Sequence, residues 1–308
     1  MVMEYIKLGK SDLECPRIAL GCMRLGDKPE ERAEAVIAAA LDEGVNMFDH
    51  ADIYADGESE RKFGRAFKAL GISRDKVILQ SKCGIRKDLG TFDFSKKHIV
   101  EAAEGSLKRL GTDYLDILLL HRPDALMEPE EVAEAFDALF RAGKVRFFGV
   151  SNFSPYQIEL LKGGRVEVIA NQLQFSLMHA AMVEEGLNVN MYNDESVQRN
   201  GDILNYCRLN GIVVQAWSPL NYGFFGRIFV GNGKFPALNA ELSRLGEKYG
   251  CTPAAIAFAW ILRHPAKMQV IAGTTDPGHL RALCRGAEVG LTREEWYGLY
   301  RSTGKILP

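Results

Sequence analysis

Asp49, Tyr54, Lys82 and His121 stand at or just past the ends of three consecutive apolar runs, VNMF, VILQS and LDILLL. A phenol with an ordinary pKa near 10 is a poor proton donor at neutral pH. An ammonium beside it stabilises the phenolate, and a carboxylate on the other side keeps that ammonium charged and oriented. Tyr54 therefore reads as a general acid, Lys82 as the group that tunes it and Asp49 as the anchor of Lys82. His121, on the following run, can donate a hydrogen bond to a substrate oxygen. Such a group suits carbonyl reduction, in which oxygen gains charge as carbon accepts hydride, and a positioned acid contributes roughly 10²- to 10⁴-fold. The hydride has to come from a cofactor.

Bringing those side chains together requires a scaffold that aligns the ends of several strands. Eight short runs rich in Val, Ile, Leu and Phe read as buried strands: residues 17–21, 45–51, 77–82, 115–121, 145–151, 167–174, 212–218 and 269–274. Between them lie segments such as 29–44, 95–111 and 129–144, with apolar residues three and four apart, acidic first turns and Gly at or near the end, the marks of helices. Strand and helix alternating eight times predict one (β/α)8 TIM barrel spanning residues 1–308, with no linker dividing it. The preceding YIKLG-KSDLEC-P predicts a β-hairpin that caps the lower mouth. Gly21, Asp49, Lys82, His121, Ser151 with Asn152, Gln172, Ser218 and Thr274 all end their runs, so they converge on the C-terminal face where sites form in such barrels. A doubly wound sheet is the rival reading, and it lacks its motif: no G-x-G-x-x-G follows the first strand and there is no Walker lysine loop.

The spacing of Gly44, Asp49, Tyr54, Gly57, Ser59 and Glu60, with VILQSKCG, DYLDILLLHRPD, GKVRFFGVSNF and QAWSPL, resembles the aldo-keto reductase superfamily over nearly the whole chain, in particular a bacterial oxidoreductase branch. The resemblance implies an NADP(H)-dependent reductase of aldehydes or ketones that moves the pro-R hydride, with its tetrad on Asp49, Tyr54, Lys82 and His121. It also implies that Ser151, Asn152 and Gln172 bind the nicotinamide carboxamide and that Trp217 stacks on the ring. Ser218, Pro219 and Leu220 would meet the pyrophosphate, and Gly21, Cys22, Met23 and Arg24 would touch cofactor or substrate. At the last strand, Gly273 and His279 stand where many relatives carry Lys and Arg for the 2′-phosphate. Thr274, Thr275, the following helix N-terminus and Arg281 would have to hold it instead. NADPH preference over NADH is therefore expected to be weaker than in relatives with both cations. Some members of the superfamily are cofactor-binding regulatory or sensory subunits with little turnover, and the tetrad alone does not separate the two.

With 38 basic and 40 acidic side chains and no like-charged block, nothing favours nucleic acid or a membrane surface, and a small-molecule partner is expected of a monomer or weak homo-oligomer. Six scattered cysteines without a C-x-x-C pair read as reduced thiols of a cytoplasmic protein. The histidines form no metal-ligand spacing, and His50 should face away from Asp49, toward the helices. Residues 179–200 read as a mobile loop and the aromatic-rich 221–236 as a segment able to fold over the cofactor, so pocket walls and substrate identity lie there.

Overall fold

The computed structural model describes residues 3–223 and 227–308. Eight parallel strands form a closed barrel in chain order: β1 Ile18–Gly21, β2 Met47–Asp49, β3 Ile78–Cys83, β4 Leu115–Leu120, β5 Val145–Ser151, β6 Ala170–Gln174, β7 Val213–Trp217 and β8 Gln269–Ala272. Seven of the predicted runs contain one of them, and the third strand extends one residue past its run, to Cys83. Alternation decides which side chains enter the barrel. Ala19, Met47, Ile78, Ile117, Leu119, Val213 and Ile271 form an inner cluster, whereas their neighbours Ile18, Phe48, Leu79, Leu118, Val214 and Val270 belong to the larger core beneath the helices.

The outer ring is built of α1 Glu30–Asp42, α2 Glu58–Ala69, α3 Lys96–Leu110, α4 Pro129–Arg141, α5 Pro155–Gly163, α6 Ala181–Leu187, α7 Ile203–Asn210, α8 Pro236–Tyr249, α9 Pro253–Leu262, α10 Pro277–Cys284 and α11 Arg293–Ser302. Their starts carry the expected signals. Ser154 with Gln157, and Thr292 with Glu295, close capping boxes, and Pro occupies the first turn of α4, α5, α8, α9 and α10.

The N-terminal hairpin is present as Tyr5–Lys7 paired antiparallel with Glu14–Pro16. Ile6, Leu8, Leu13 and Cys15 close the lower end of the inner cluster. At its turn Gly9 has φ +61°, and a Cβ there would stand 2.5 Å from the Ile169 carbonyl oxygen, so only glycine lets the plug seat.

Residues 179–200 correct the expectation of a mobile loop. They contain α6 and a short 3-10 turn, Asp194–Ser196. The organising group is the buried Glu185 carboxylate, whose Oε1 accepts hydrogen bonds from the Arg199 and Asn200 backbone amides and from Asn200 Nδ2. Lys305 from the C-terminal segment pairs with Glu184. One buried acid among polar residues leaves no helical periodicity to read. In the aromatic segment, Phe224, Phe225 and Gly226 lie outside the described residues. Around them Asn221 bridges Ile228, and Phe229 is fully buried against the core.

Candidate active site

The ends of β2, β3 and β4 bring the four residues together. Asp49 and Lys82 point into the barrel mouth and are 3% and 0% exposed. Lys82 Nζ donates to Asp49 Oδ1 and Oδ2, both at 2.8 Å, to the His50 carbonyl at 2.8 Å and to Tyr54 Oη at 3.1 Å. Just past Tyr54 the chain turns sharply into α2, with Ala55, Asp56 and Gly57 all at positive φ. The Tyr54 and His121 rings meet edge to face, 5.9 Å between centroids and 84° between planes.

Burial shapes the electrostatics of the group. It lowers Lys82, but Asp49 and Tyr54 outweigh it, and the ammonium is held above the ordinary lysine range. Burial raises Tyr54, Lys82 lowers it and Asp49 raises it again, leaving it above its ordinary value. The phenol thus stays protonated, and Lys82 acts by limiting the cost of the charge left when the proton departs. His121 lies well below its usual value, first through burial and then through Lys82 and Arg122, so its imidazole is neutral. Its Nδ1 is buried without a partner among the described residues. The arrangement offers one proton donor, one neutral hydrogen-bonding ring and a fixed positive charge behind them.

Residues 17–299 match the sequence model of the Aldo/keto reductase family. The chain belongs to that family. It is 35% identical over 300 residues to a 6-dehydroglucose reductase of Agrobacterium fabrum, covering 94% of each chain, and 33% identical over 311 residues to the oxidoreductase YdhF of Escherichia coli, covering 98% of each. Among solved structures, the thermostable aldo-keto reductase Tm1743, crystallised with the inhibitor epalrestat, superimposes with a TM-score of 0.77 at 25% identity, over 97% of this chain and all of that one. The protein is an oxidoreductase with the aldo-keto reductase barrel.

The remaining predicted residues divide by place. Ser151, Asn152, Gln172 and Trp217 form one hydrogen-bonded group on the opposite side of the mouth. Ser151 Oγ donates to the Gln172 carbonyl at 2.9 Å, Asn152 Nδ2 to Ser151 Oγ at 2.7 Å, and Trp217 Nε1 to Asn152 Oδ1 at 3.1 Å. Asn152 and Ser218 take φ +64° and +50°, turning the chain at the ends of β5 and β7. Pro219 is buried and Leu220 packs on the core beside it.

Gly21 lies level with Asp49 in the ladder, Cys22 is buried, and the Met23 carbonyl is held by Ser59 Oγ at 3.0 Å. Arg24 Nη1 reaches the Gly273 carbonyl at 3.3 Å, joining the loops after β1 and β8. Beside it, Thr274 Oγ1 accepts from the Asp276 amide at 3.1 Å, and Thr275 is half-buried. A dinucleotide fits this donor set: an amide cluster for a carboxamide, an indole face, and open space above Gly273, where a Cβ would touch nothing.

Two placements differ from expectation. Arg281 is not at the start of α10; it lies in the last turn and pairs with Asp42 at 3.3 Å and Glu43 at 3.8 Å, at the far end of α1. Asp276, unnoticed in the sequence, is the N-cap of α10. Its Oδ1 accepts from the His279 amide at 2.9 Å and its Oδ2 from Arg32 at 3.0 Å. The pattern D-P-x-x opening a helix could have revealed it. His279 itself is exposed. Asp124 of HRPD also has a role that was not read: its carboxylate ties the Phe94 and Leu126 amides at 3.0 and 2.9 Å, fixing the rim after β3 to the rim after β4.

His50 faces outward as predicted, 4.5 Å from the Phe63 ring centroid and fully buried. Burial brings it down to about 3, so it is neutral and only its carbonyl serves the site.

Proposed function

We propose that this aldo/keto reductase reduces aldehydes or ketones to alcohols with NADP(H), accepting NAD(H) to a substantial degree, in the cytoplasm. The observation that supports it most is the single ammonium of Lys82 shared between Asp49 and Tyr54. The bound reduced cofactor supplies hydride to the carbonyl carbon. Tyr54 gives its proton to the carbonyl oxygen, Lys82 steadies the resulting phenolate, Asp49 keeps Lys82 in place, and neutral His121 orients the oxygen. Ser151, Asn152 and Gln172 would hold the carboxamide, and Trp217 would lie against the ring. The Agrobacterium relative is named a 6-dehydroglucose reductase, and a hydroxylated carbonyl compound is the substrate class this reading favours.

Weak discrimination between the two cofactors follows from α10. A carboxylate at its N-cap already takes the amide that would greet a phosphate, and it adds negative charge there. The test is oxidation of NADPH and NADH with a panel of aldehydes, together with the dissociation constants of both cofactors. Turnover with both and a constant ratio within about tenfold support the reading. Tight cofactor binding without turnover on any aldehyde would instead favour a regulatory subunit.

A further inference from the structure

Below Asp49 and Lys82, four glutamines point into the barrel: Gln80 of β3, Gln172 of β6, Gln215 of β7 and Gln269 of β8. None is more than 3% exposed. Aliphatic side chains normally fill these layers, and a primary amide buried there is costly unless its hydrogens find acceptors. Here all of them do. Gln269 Nε2 donates to the Pro16 carbonyl at 2.7 Å and to Met47 Sδ at 3.3 Å. Gln215 Nε2 donates to Gln269 Oε1 at 2.9 Å and to Gln80 Oε1 at 3.0 Å. Gln80 Nε2 returns a bond to Gln215 Oε1 at 3.0 Å, closing a reciprocal amide pair, and gives its other hydrogen to Asp49 Oδ1 at 2.6 Å. Gln172 Nε2 donates to the same two acceptors, Gln215 Oε1 at 3.1 Å and Asp49 Oδ1 at 3.0 Å.

The direction of this relay is determined at both ends. The Pro16 carbonyl and the Asp49 carboxylate can only accept, so turning over any one amide would set oxygen against oxygen or N–H against N–H. Asp49 Oδ1 thereby receives Gln80 and Gln172 in addition to Lys82. Gln172 has used both hydrogens and presents only its carbonyl oxygen to the mouth.

We propose that Gln80 and Gln215 are positioning residues of the reduction. Gln80 fixes the Asp49 carboxylate against Lys82, and Gln215 locks Gln172 in the orientation that offers an acceptor to the carboxamide N–H of the cofactor. The inference rests on the proposed reductase reading.

Gln80→Glu and Gln215→Leu test it, with thermal midpoint, NADPH dissociation constant by tryptophan fluorescence, and turnover against pH read on each. A carboxyl at position 80 is the same size and, while protonated, keeps the bond to Asp49 but not the one to Gln215 Oε1. As pH rises it ionises and repels Asp49, so turnover falls along a limb that the wild type lacks. Gln215→Leu frees Gln172, and the NADPH dissociation constant rises about tenfold, the worth of roughly one buried hydrogen bond. A Gln80→Glu profile that superimposes on the wild type overturns the first role, and a Gln215→Leu constant within about twofold overturns the second. Should Gln215→Leu not fold, Gln215→Met, closer in length, removes the same acceptor and takes its place, with the same affinity loss expected. Absence of wild-type turnover on every aldehyde would reject the reductase reading instead, and the cofactor constants would still judge the role of Gln215.

Discussion

Asp52 shows how one residue near the tetrad can work against the fold. It lies two residues before Tyr54, its Oδ1 is buried without a partner, and burial, then Glu60, raise its pKa from 3.8 to about 7, against the pull of Arg109. Because the folded value lies above the unfolded one, the folded state holds the proton more tightly. The full benefit is present below the unfolded value, and stability falls as pH rises from about 4 to about 7. Asp52→Asn removes this ionisation and its repulsion with Glu60. We expect the variant to melt above the wild type at pH 8, with the gap shrinking by pH 5. A gap independent of pH would contradict that assignment. The same scale explains His121, which burial keeps neutral, so no histidine limb should appear in turnover near neutral pH.

At the scale of elements, the β-hairpin plug depends on one glycine. Gly9 and Gly90 have nearly the same φ, +61° and +65°, but a Cβ at Gly9 would press on the Ile169 carbonyl, whereas one at Gly90 would touch none of the described residues. Ala at Gly90 should cost about 1 kcal/mol through backbone strain alone, and Ala at Gly9 a further 1–3 kcal/mol. Urea unfolding with unchanged slope separates them, and equal midpoints would mean that the plug is not tightly seated. The plug and all eight strands were legible because each strand is an apolar run closed by a polar residue. The relay was not. Gln172 was read only as the end of its run, Gln80 and Gln215 sit within theirs and Gln269 opens the last, and only closure of the barrel shows that the four meet. Helix α6 was hidden because its stability comes from the buried Glu185 and from Lys305, partners that local periodicity does not contain.

For the whole molecule, the barrel converts eight separate strand ends into one mouth, with the proton-transfer group on β2 to β4 and the amide and indole group on β5 to β7. That division was readable from which residues ended each run. The rim was less so, since Arg281 turned toward α1 and Asp276 took the start of α10. In the reaction we propose, Tyr54, tuned by Lys82, delivers the proton. The most direct measurement of that step is the rate of NADPH oxidation at saturating aldehyde in the wild type, Tyr54→Phe and Lys82→Met, with NADPH affinity determined in parallel. We predict a fall of roughly 10² or more in both variants, with affinity in Tyr54→Phe within about twofold of the wild type. Near-normal turnover in Tyr54→Phe would contradict the account.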